Sequence, residues 1–151
     1  SAVDEFNEKR TESITDKIIS KSNLKKGDTI CVLGLSFKPN TDDIRYSTSI
    51  KIANLLMKRN IKIKCYDPQA MKNAKLESPE LILCKNAYEA CENTKGLIIG
   101  TEWNEFRALD FSKIKVKMKE LLIFDLRNIY NPSELSNLGF EYYGTGRKIF
   151  N

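Results

Sequence analysis

The chain has 151 residues, 41% hydrophobic and 30% charged, with four Cys and no His, which describes one ordinary domain able to bury roughly 68–70% of its unfolded surface without disulfides or a metal. The missing imidazole excludes a Ser-His-Asp or Cys-His nucleophile, a His general base and a zinc site with His ligands built from this chain alone. The net charge of +5 is spread among acidic residues, and its densest stretches, Lys21 to Lys26 and Lys113 to Lys119, are interrupted as on a solvated surface, so no nucleic-acid binding is expected.

Residues 1–26 are very polar, with Val3, Phe6, Ile14, Ile18 and Ile19 recurring at helical spacing. Such a narrow stripe buries little against its own domain and suits packing on a partner, the tail of a longer helix, or equally a frayed terminal extension. Lys25-Lys26-Gly27-Asp28 is expected to stop this helix, with Gly27 as a left-handed cap.

From Thr29 the period changes. Thr29 to Leu35 is a nearly continuous apolar run of the kind that forms a strand buried on both faces, which implies a parallel sheet. Ser47 to Asn60 reads as a helix with Ser47, Thr48 or Ser49 as N-cap, and Lys62 to Tyr66 as a second strand closed by Asp67-Pro68. Leu81 to Cys84 is a short apolar run, Ala87 to Glu92 a short helix and Gly96 to Thr101 a buried strand. A helix over 111–120, a strand Leu121 to Asp125, a helix Pro132 to Asn137 with Pro in its first turn and a strand Phe140 to Tyr143 complete the alternation. The pattern predicts an α/β fold with a Rossmann-like, doubly wound, mostly parallel sheet. Its longest apolar runs are too short to cross a bilayer and no signal peptide opens the chain, so a cytoplasmic protein is expected. Cys31, Cys65, Cys84 and Cys91 lack C-x-x-C spacing and read as buried structural thiols; Cys84, beside Lys85, is the one weak candidate for reactivity.

Ligands of open α/β sheets collect outside the carboxyl ends of the strands. The loop after the first strand, Ser36 to Arg45, is densely polar, but Gly34 stands alone where a dinucleotide fingerprint needs three glycines, so independent dinucleotide binding in the usual manner is not expected. The loop offers cations instead. Lys38, Arg45 and Arg127 could converge on a diphosphate; alternatively, Asp42 and Asp43 pair with Lys38 and Arg45 in weak loop ion pairs. Trp103 and Phe106 read as lid or core aromatics, and Gly144-Thr145-Gly146-Arg147 as a turn.

Four motifs occur in order: GLSFKPNTDDIRYSTS at 34–49, YDP at 66–68, GLIIGTEWNEFRALDF at 96–111 and FDLRNIY at 124–130. Together they resemble the C-terminal domain of the UDP-glucose/GDP-mannose dehydrogenase family, and the TEW-x-EF form is most similar to members acting on UDP-glucose. The resemblance implies oxidation of UDP-glucose to UDP-glucuronate with two NAD, for polysaccharide biosynthesis, through a cysteine thiohemiacetal and thioester. That cysteine belongs to a Gly-x-Cys-Phe segment with no counterpart here, so no catalytic residue is assigned, and the family's G-x-G-x-x-G domain, the main NAD site, is absent too. The chain is therefore expected to be half of an enzyme, inactive alone. Residues 1–26 would be the end of the helix that joins the family's two domains and forms its homodimer core, and residues 27–151 the nucleotide-sugar-binding domain. By resemblance, Phe37, Lys38 and Arg127 would contact the UDP-sugar, and Arg45 an NAD bound mainly by the N-terminal domain. Many members read Asp-Gly-Arg where this chain has Asp125-Leu126-Arg127, and Thr101 and Glu102 are family marks without an assigned role. A UDP-N-acetylhexosamine or GDP-mannose substrate, and a stand-alone nucleotide-sugar-binding module, are the alternatives.

Overall fold

A computed structural model describes residues 2–145. The elements run α1 (Ala2–Ser22), β1 (Thr29–Leu33), α2 (Thr48–Lys58), β2 (Lys62–Tyr66), α3 (Met71–Glu77), β3 (Ile82–Leu83), α4 (Ala87–Cys91), β4 (Leu97–Ile99), α5 (Asn104–Arg107), α6 (Phe111–Lys115), β5 (Leu122–Asp125), α7 (Pro132–Asn137) and β6 (Glu141–Gly144). The six strands form one sheet in the order β3-β2-β1-β4-β5-β6, and every pairing is parallel.

Both faces of the sheet are covered, as the continuous apolar runs require. In β1, Ile30 and Val32 point into a core shared with Ile14 and Ile18 of α1, Ile52 and Leu56 of α2, and Ala74 of α3. Cys31 and Leu33 point the other way, against Ala90 of α4, Phe106 of α5, Ile114 of α6 and Leu135 of α7. The chain winds outward from β1 to β3 and then returns to build β4 on the other side of β1, so the strand order reverses between β1 and β4. Their carboxyl ends, Leu33 and Ile99, flank the crevice such sheets use for ligands.

Several boundaries differ from the sequence expectation. Part of the apolar stripe of α1 is used within this domain: Ile14 and Ile18 are buried in its own core, and Arg59 at the end of α2 reaches Asp16 at 2.8 Å. The Val3 and Phe6 side chains, and the Gly146-Arg147 part of the predicted turn, lie outside the described residues. Helix α1 also stops before Gly27. Asn23 turns left-handed at φ 49°, and Leu24 N–H donates to the Ile19 carbonyl at 3.1 Å, the long closing bond of a Schellman cap. Strand β1 ends at Leu33 instead of Leu35, because Gly34 (φ +94°) takes the chain out of the ladder. Helix α6 ends at Lys115, five residues short of expectation, since the chain beyond it bonds elsewhere: Asn93 N–H to the Lys117 carbonyl and Lys119 N–H to the Thr94 carbonyl, both at 2.8 Å. Two helices carried no readable signal. In α3, Ala74 is the buried residue and no side chain caps the start, while α5 spans four residues, too few for a period to show.

The β1–β4 crossing depends on absent side chains. A Cβ on Gly100 would lie 2.3 Å from Ser49 Cβ and 2.6 Å from the Gly34 carbonyl oxygen. The space it would need is filled by a bond that ties α2 to β1, Ser49 Oγ donating to the Gly34 carbonyl at 2.8 Å. Gly100→Ala is expected to destabilise the fold by about 1–3 kcal/mol, the usual cost of overpacking, seen as a lower denaturant midpoint with an unchanged slope.

All four cysteines are free and buried. Burial pushes the Cys31 and Cys84 thiols upward and Cys65 from 9.0 up to about 12. Cys84 therefore loses its candidacy as a reactive thiol: desolvation outweighs the attraction of its thiolate to Lys64. Above about pH 9 the unfolded chain sheds thiol protons that the folded chain retains, so the unfolded state binds fewer protons and stability falls as pH rises from 9 towards 12. Native protein at pH 8 is expected to resist a thiol-specific dye that labels all four cysteines once urea is added.

Candidate functional site

Two buried carboxylates shape the carboxyl edge of the sheet. Asp67, immediately after β2, accepts five N–H bonds. Its Oδ2 takes Leu35 N at 2.7 Å, Ser36 N at 3.0 Å and Trp103 Nε1 at 3.1 Å, and its Oδ1 takes Gln69 N and Ala70 N at 2.8 Å each. Trp103 is thereby a core residue, as is Phe106. Asp125, the last residue of β5, accepts Arg127 N at 3.0 Å on Oδ1, and Ile129 N at 2.8 Å, Tyr130 N at 3.2 Å and the Tyr142 hydroxyl at 2.6 Å on Oδ2. Bonds to an ionised acceptor are short and strong, so each Asp fixes the turn that follows its strand.

The loop between β1 and α2 is held on several sides. Phe37 N donates to the Asp43 carbonyl at 2.7 Å, Ser36 Oγ to the Lys38 carbonyl at 2.8 Å, and Thr101 Oγ1 to the Ser36 carbonyl at 2.7 Å. Thr101 thus acquires a role the sequence left open: fully buried, it ties the loop to the end of β4. Among the possible caps, Ser47 is the one α2 uses, its Oγ accepting from Ile50 N at 3.3 Å.

Arg127 is tied to the same loop. Its Nε donates to the Gly100 carbonyl at 3.1 Å and its Nη2 to the Phe37 carbonyl at 2.9 Å, while Nη1 faces Glu102 Oε2 at 3.7 Å. Two of five guanidinium donors are spent on carbonyls, and the contact with Glu102 is too long to be a hydrogen bond, so the fork is aimed with donors to spare. Leu126 packs against the core without a positive φ, so this turn does not need a glycine.

Phe37 and Arg127 line a groove of about 660 Å³ between α1, with Arg10 and Ile14, and the sheet edge, with Tyr46 and Gly100. Among the described residues its charged lining is Arg10, Lys51 and Arg127 against one carboxylate, Glu8. An anion is the ligand such a lining favours. The other two candidate cations are not in this lining. Lys38 is exposed and makes no ion pair among the described residues. Arg45 forms the loop pair weighed from the sequence: its Nε lies 3.0 Å from Asp43 Oδ1 and its Nη2 2.9 Å from Oδ2, holding the Asp43 carboxyl down at about 2. That pair is open to solvent, with the Arg45 side chain 81% exposed, and contributes little to stability. Sequence reasoning missed Tyr46 and Lys51, because neither carries a local signal for a ligand; the loop's backbone course brings Tyr46 to the groove, and the first turns of α2 bring Lys51.

The first turn does not fit the pyrophosphate of a dinucleotide. The backbone N–H groups that would cradle it, those of Leu35 and Ser36, already donate to Asp67.

The family model for the UDP-glucose/GDP-mannose dehydrogenase family, UDP binding domain, matches residues 31–132. The chain belongs to this family. Its relatives include UDP-glucose 6-dehydrogenase of Rhizobium meliloti (strain 1021), 42% identical over 142 residues that cover 93% of this chain and 32% of that protein. UDP-glucose 6-dehydrogenase TuaD of Bacillus subtilis (strain 168) is 36% identical, over 97% of this chain and 32% of its own length. Among solved structures, a UDP-glucose dehydrogenase from Pyrobaculum islandicum superposes with a TM-score of 0.74 at 25% identity, over 95% of this chain and 30% of that one. The NDP-N-acetyl-D-galactosaminuronic acid dehydrogenase from Methanosarcina mazei Go1 shares the fold, with a TM-score of 0.77 at 22% identity, over 95% and 30% of the two chains. The chain spans about a third of the length of these relatives. The Phe-Lys, Thr-Glu-Trp and Asp-x-Arg motifs of this family member therefore serve distinct structural ends: Trp103 and Thr101 hold the loop, and Arg127 is the residue they leave aimed at the groove.

Asp67→Asn turns an NH2 group towards donors that need an acceptor. A loss on the order of 3 kcal/mol is expected, equal to one or two buried N–H groups left unpaired at 1–3 kcal/mol each. Trp103 is the chain's single Trp, so a red shift of its emission, together with a lower midpoint, checks this directly.

Proposed function

We propose that this chain is the UDP-binding part of a UDP-glucose 6-dehydrogenase, which oxidises UDP-glucose to UDP-glucuronate at the expense of two NAD. The observation that carries the reading is Arg127, pinned by the Gly100 and Phe37 carbonyls at the reversal point of the sheet, with Glu102 beside it, where it lines one groove with Arg10 and Lys51. A guanidinium held this way meets a diphosphate without losing much rotamer freedom, which suits bidentate phosphate recognition. Phe37, 43% exposed at the groove mouth, would cover the nucleotide sugar, and Lys38, exposed and unpaired among the described residues, would add a point charge to the diphosphate.

NAD, when bound to the whole enzyme, supplies the hydride acceptor. Because Asp67 occupies the first-turn N–H groups, the cofactor is assigned chiefly to a preceding domain, and Arg45 is the residue we assign to reach it across the cleft between the two. No His is present and each of the four thiols is buried, so the nucleophile of the reaction is also assigned to that other domain. In the whole enzyme α1 would continue the helix linking the two domains and support a homodimer.

Titration of UDP into this chain by calorimetry is expected to show binding that Arg127→Gln weakens by about tenfold or more and Lys38→Ala by a smaller factor, with both losses shrinking at high salt. In the full-length enzyme Lys38→Ala should lower kcat/KM by about 1–3 kcal/mol, and the isolated chain should not reduce NAD. UDP binding indifferent to Arg127→Gln would remove this groove from the site, and binding indifferent to Lys38→Ala would remove Lys38.

A further inference from the structure

Among the described residues, six that are not glycine have a positive φ, and five of these are Asn: Asn23, Asn40, Asn60, Asn93 and Asn128. Asparagine is what a left-handed position ordinarily takes, because its short side chain bonds locally and tolerates the conformation. The sixth is Tyr46, at φ 62°. A bulky aromatic is a true outlier there and carries a conformational cost.

Core packing does not account for this cost. Tyr46 is 77% exposed, and its ring contact is an edge-to-face approach to Phe37, itself 43% exposed, with centroids 6.3 Å apart. Two large aromatics thus stand in solvent, side by side, on the lip of the groove whose lining also holds Arg10, Lys51 and Arg127. An apolar planar surface beside a cationic lining is complementary to one chemical class, a heteroaromatic ring joined to phosphate. The turn is also fixed from both sides: Arg45 N donates to Asp43 Oδ1 at 2.9 Å, and Ser47 N to the Ile44 carbonyl at 3.1 Å. The Tyr46 ring therefore leaves the backbone in a direction that neighbouring residues determine.

We propose that Tyr46, with Phe37, is a stacking rim that binds the planar base of a nucleotide whose phosphates lie along Arg127 and Lys51. The inference rests on the nucleotide reading of this groove and adds to it Tyr46, a residue to which the resemblance gives no role. Stacking contributes through the π-face of the base and is insensitive to salt, whereas the cations act on the phosphates. The two contributions can therefore be measured apart.

The test is Tyr46→Asn, which keeps a residue suited to the left-handed turn and removes the ring, with Tyr46→Phe as the conservative partner. Each is titrated in the full 151-residue chain with UDP, with ADP, which carries another base on the same diphosphate, and with inorganic pyrophosphate, which carries none. Tyr46→Asn is expected to weaken UDP and ADP about threefold to tenfold, to leave pyrophosphate affinity unchanged, and not to lower the melting temperature; Tyr46→Phe should bind as the parent does. Unchanged UDP affinity in Tyr46→Asn, an equal loss for UDP and pyrophosphate, or a loss of binding accompanied by a lower melting temperature would each overturn the proposal. If Arg127→Gln weakens UDP while Tyr46→Asn does not, the stacking rim alone fails. If the parent chain binds neither UDP nor pyrophosphate, the nucleotide reading and the rim fail together.

Discussion

The carboxylate of Asp67 is the interaction on which the functional edge of this domain depends. Buried after β2, it gathers N–H groups from the end of β1, from its own turn and from the indole of Trp103. In an α/β sheet the first-turn N–H groups are the natural cradle for a ligand's phosphate. Here an internal anion takes that place. The domain thereby gives up the usual dinucleotide site and gains a rigid platform from which the 36–46 loop projects.

That exchange makes sense of the residues around it. Gly34 leaves the β1 ladder so that Leu35 and Ser36 can face Asp67, and its carbonyl is recovered by Ser49 Oγ. Thr101 then pins the far side of the loop through the Ser36 carbonyl, and Gly100 stays bare because the crossing has no room for a Cβ. With the N–H groups committed internally, anion recognition falls to side chains. Arg127 is the best placed of these, since Asp125 fixes its backbone and two carbonyls fix its guanidinium.

Much of this fold could be read in the sequence. The runs TICVL, LII and LIFD are short, apolar and bounded, KIKCY alternates lysine with buried residues, and all four are strands of a sheet covered on both faces. The parts that could not be read lack a local signal. Helix α3 has no apolar period, α5 is a single turn, and α6 stops where it does because residues 93 and 94 claim the backbone groups of 117 and 119, a pairing set by distant chain. Likewise, the stripe of α1 could be seen, yet that α2 and β1 would bury Ile14 and Ile18 could not.

The site divides along the same line. Sequence by itself determined the chemistry on offer: no imidazole, four thiols without C-x-x-C spacing, a lone glycine in the first turn, and cations at 38, 45 and 127, because residue type and local period are properties of the chain. Only the tertiary structure decided which cations act together. It set Arg127 beside Phe37 across 90 residues, left Arg45 to its neighbour Asp43, and brought Tyr46 and Lys51 to the same groove. The reason is physical: a guanidinium's partners are whichever carbonyls and carboxylates the folded backbone carries within about 3 Å, and two turns of a parallel sheet meet only when the strands between them have paired.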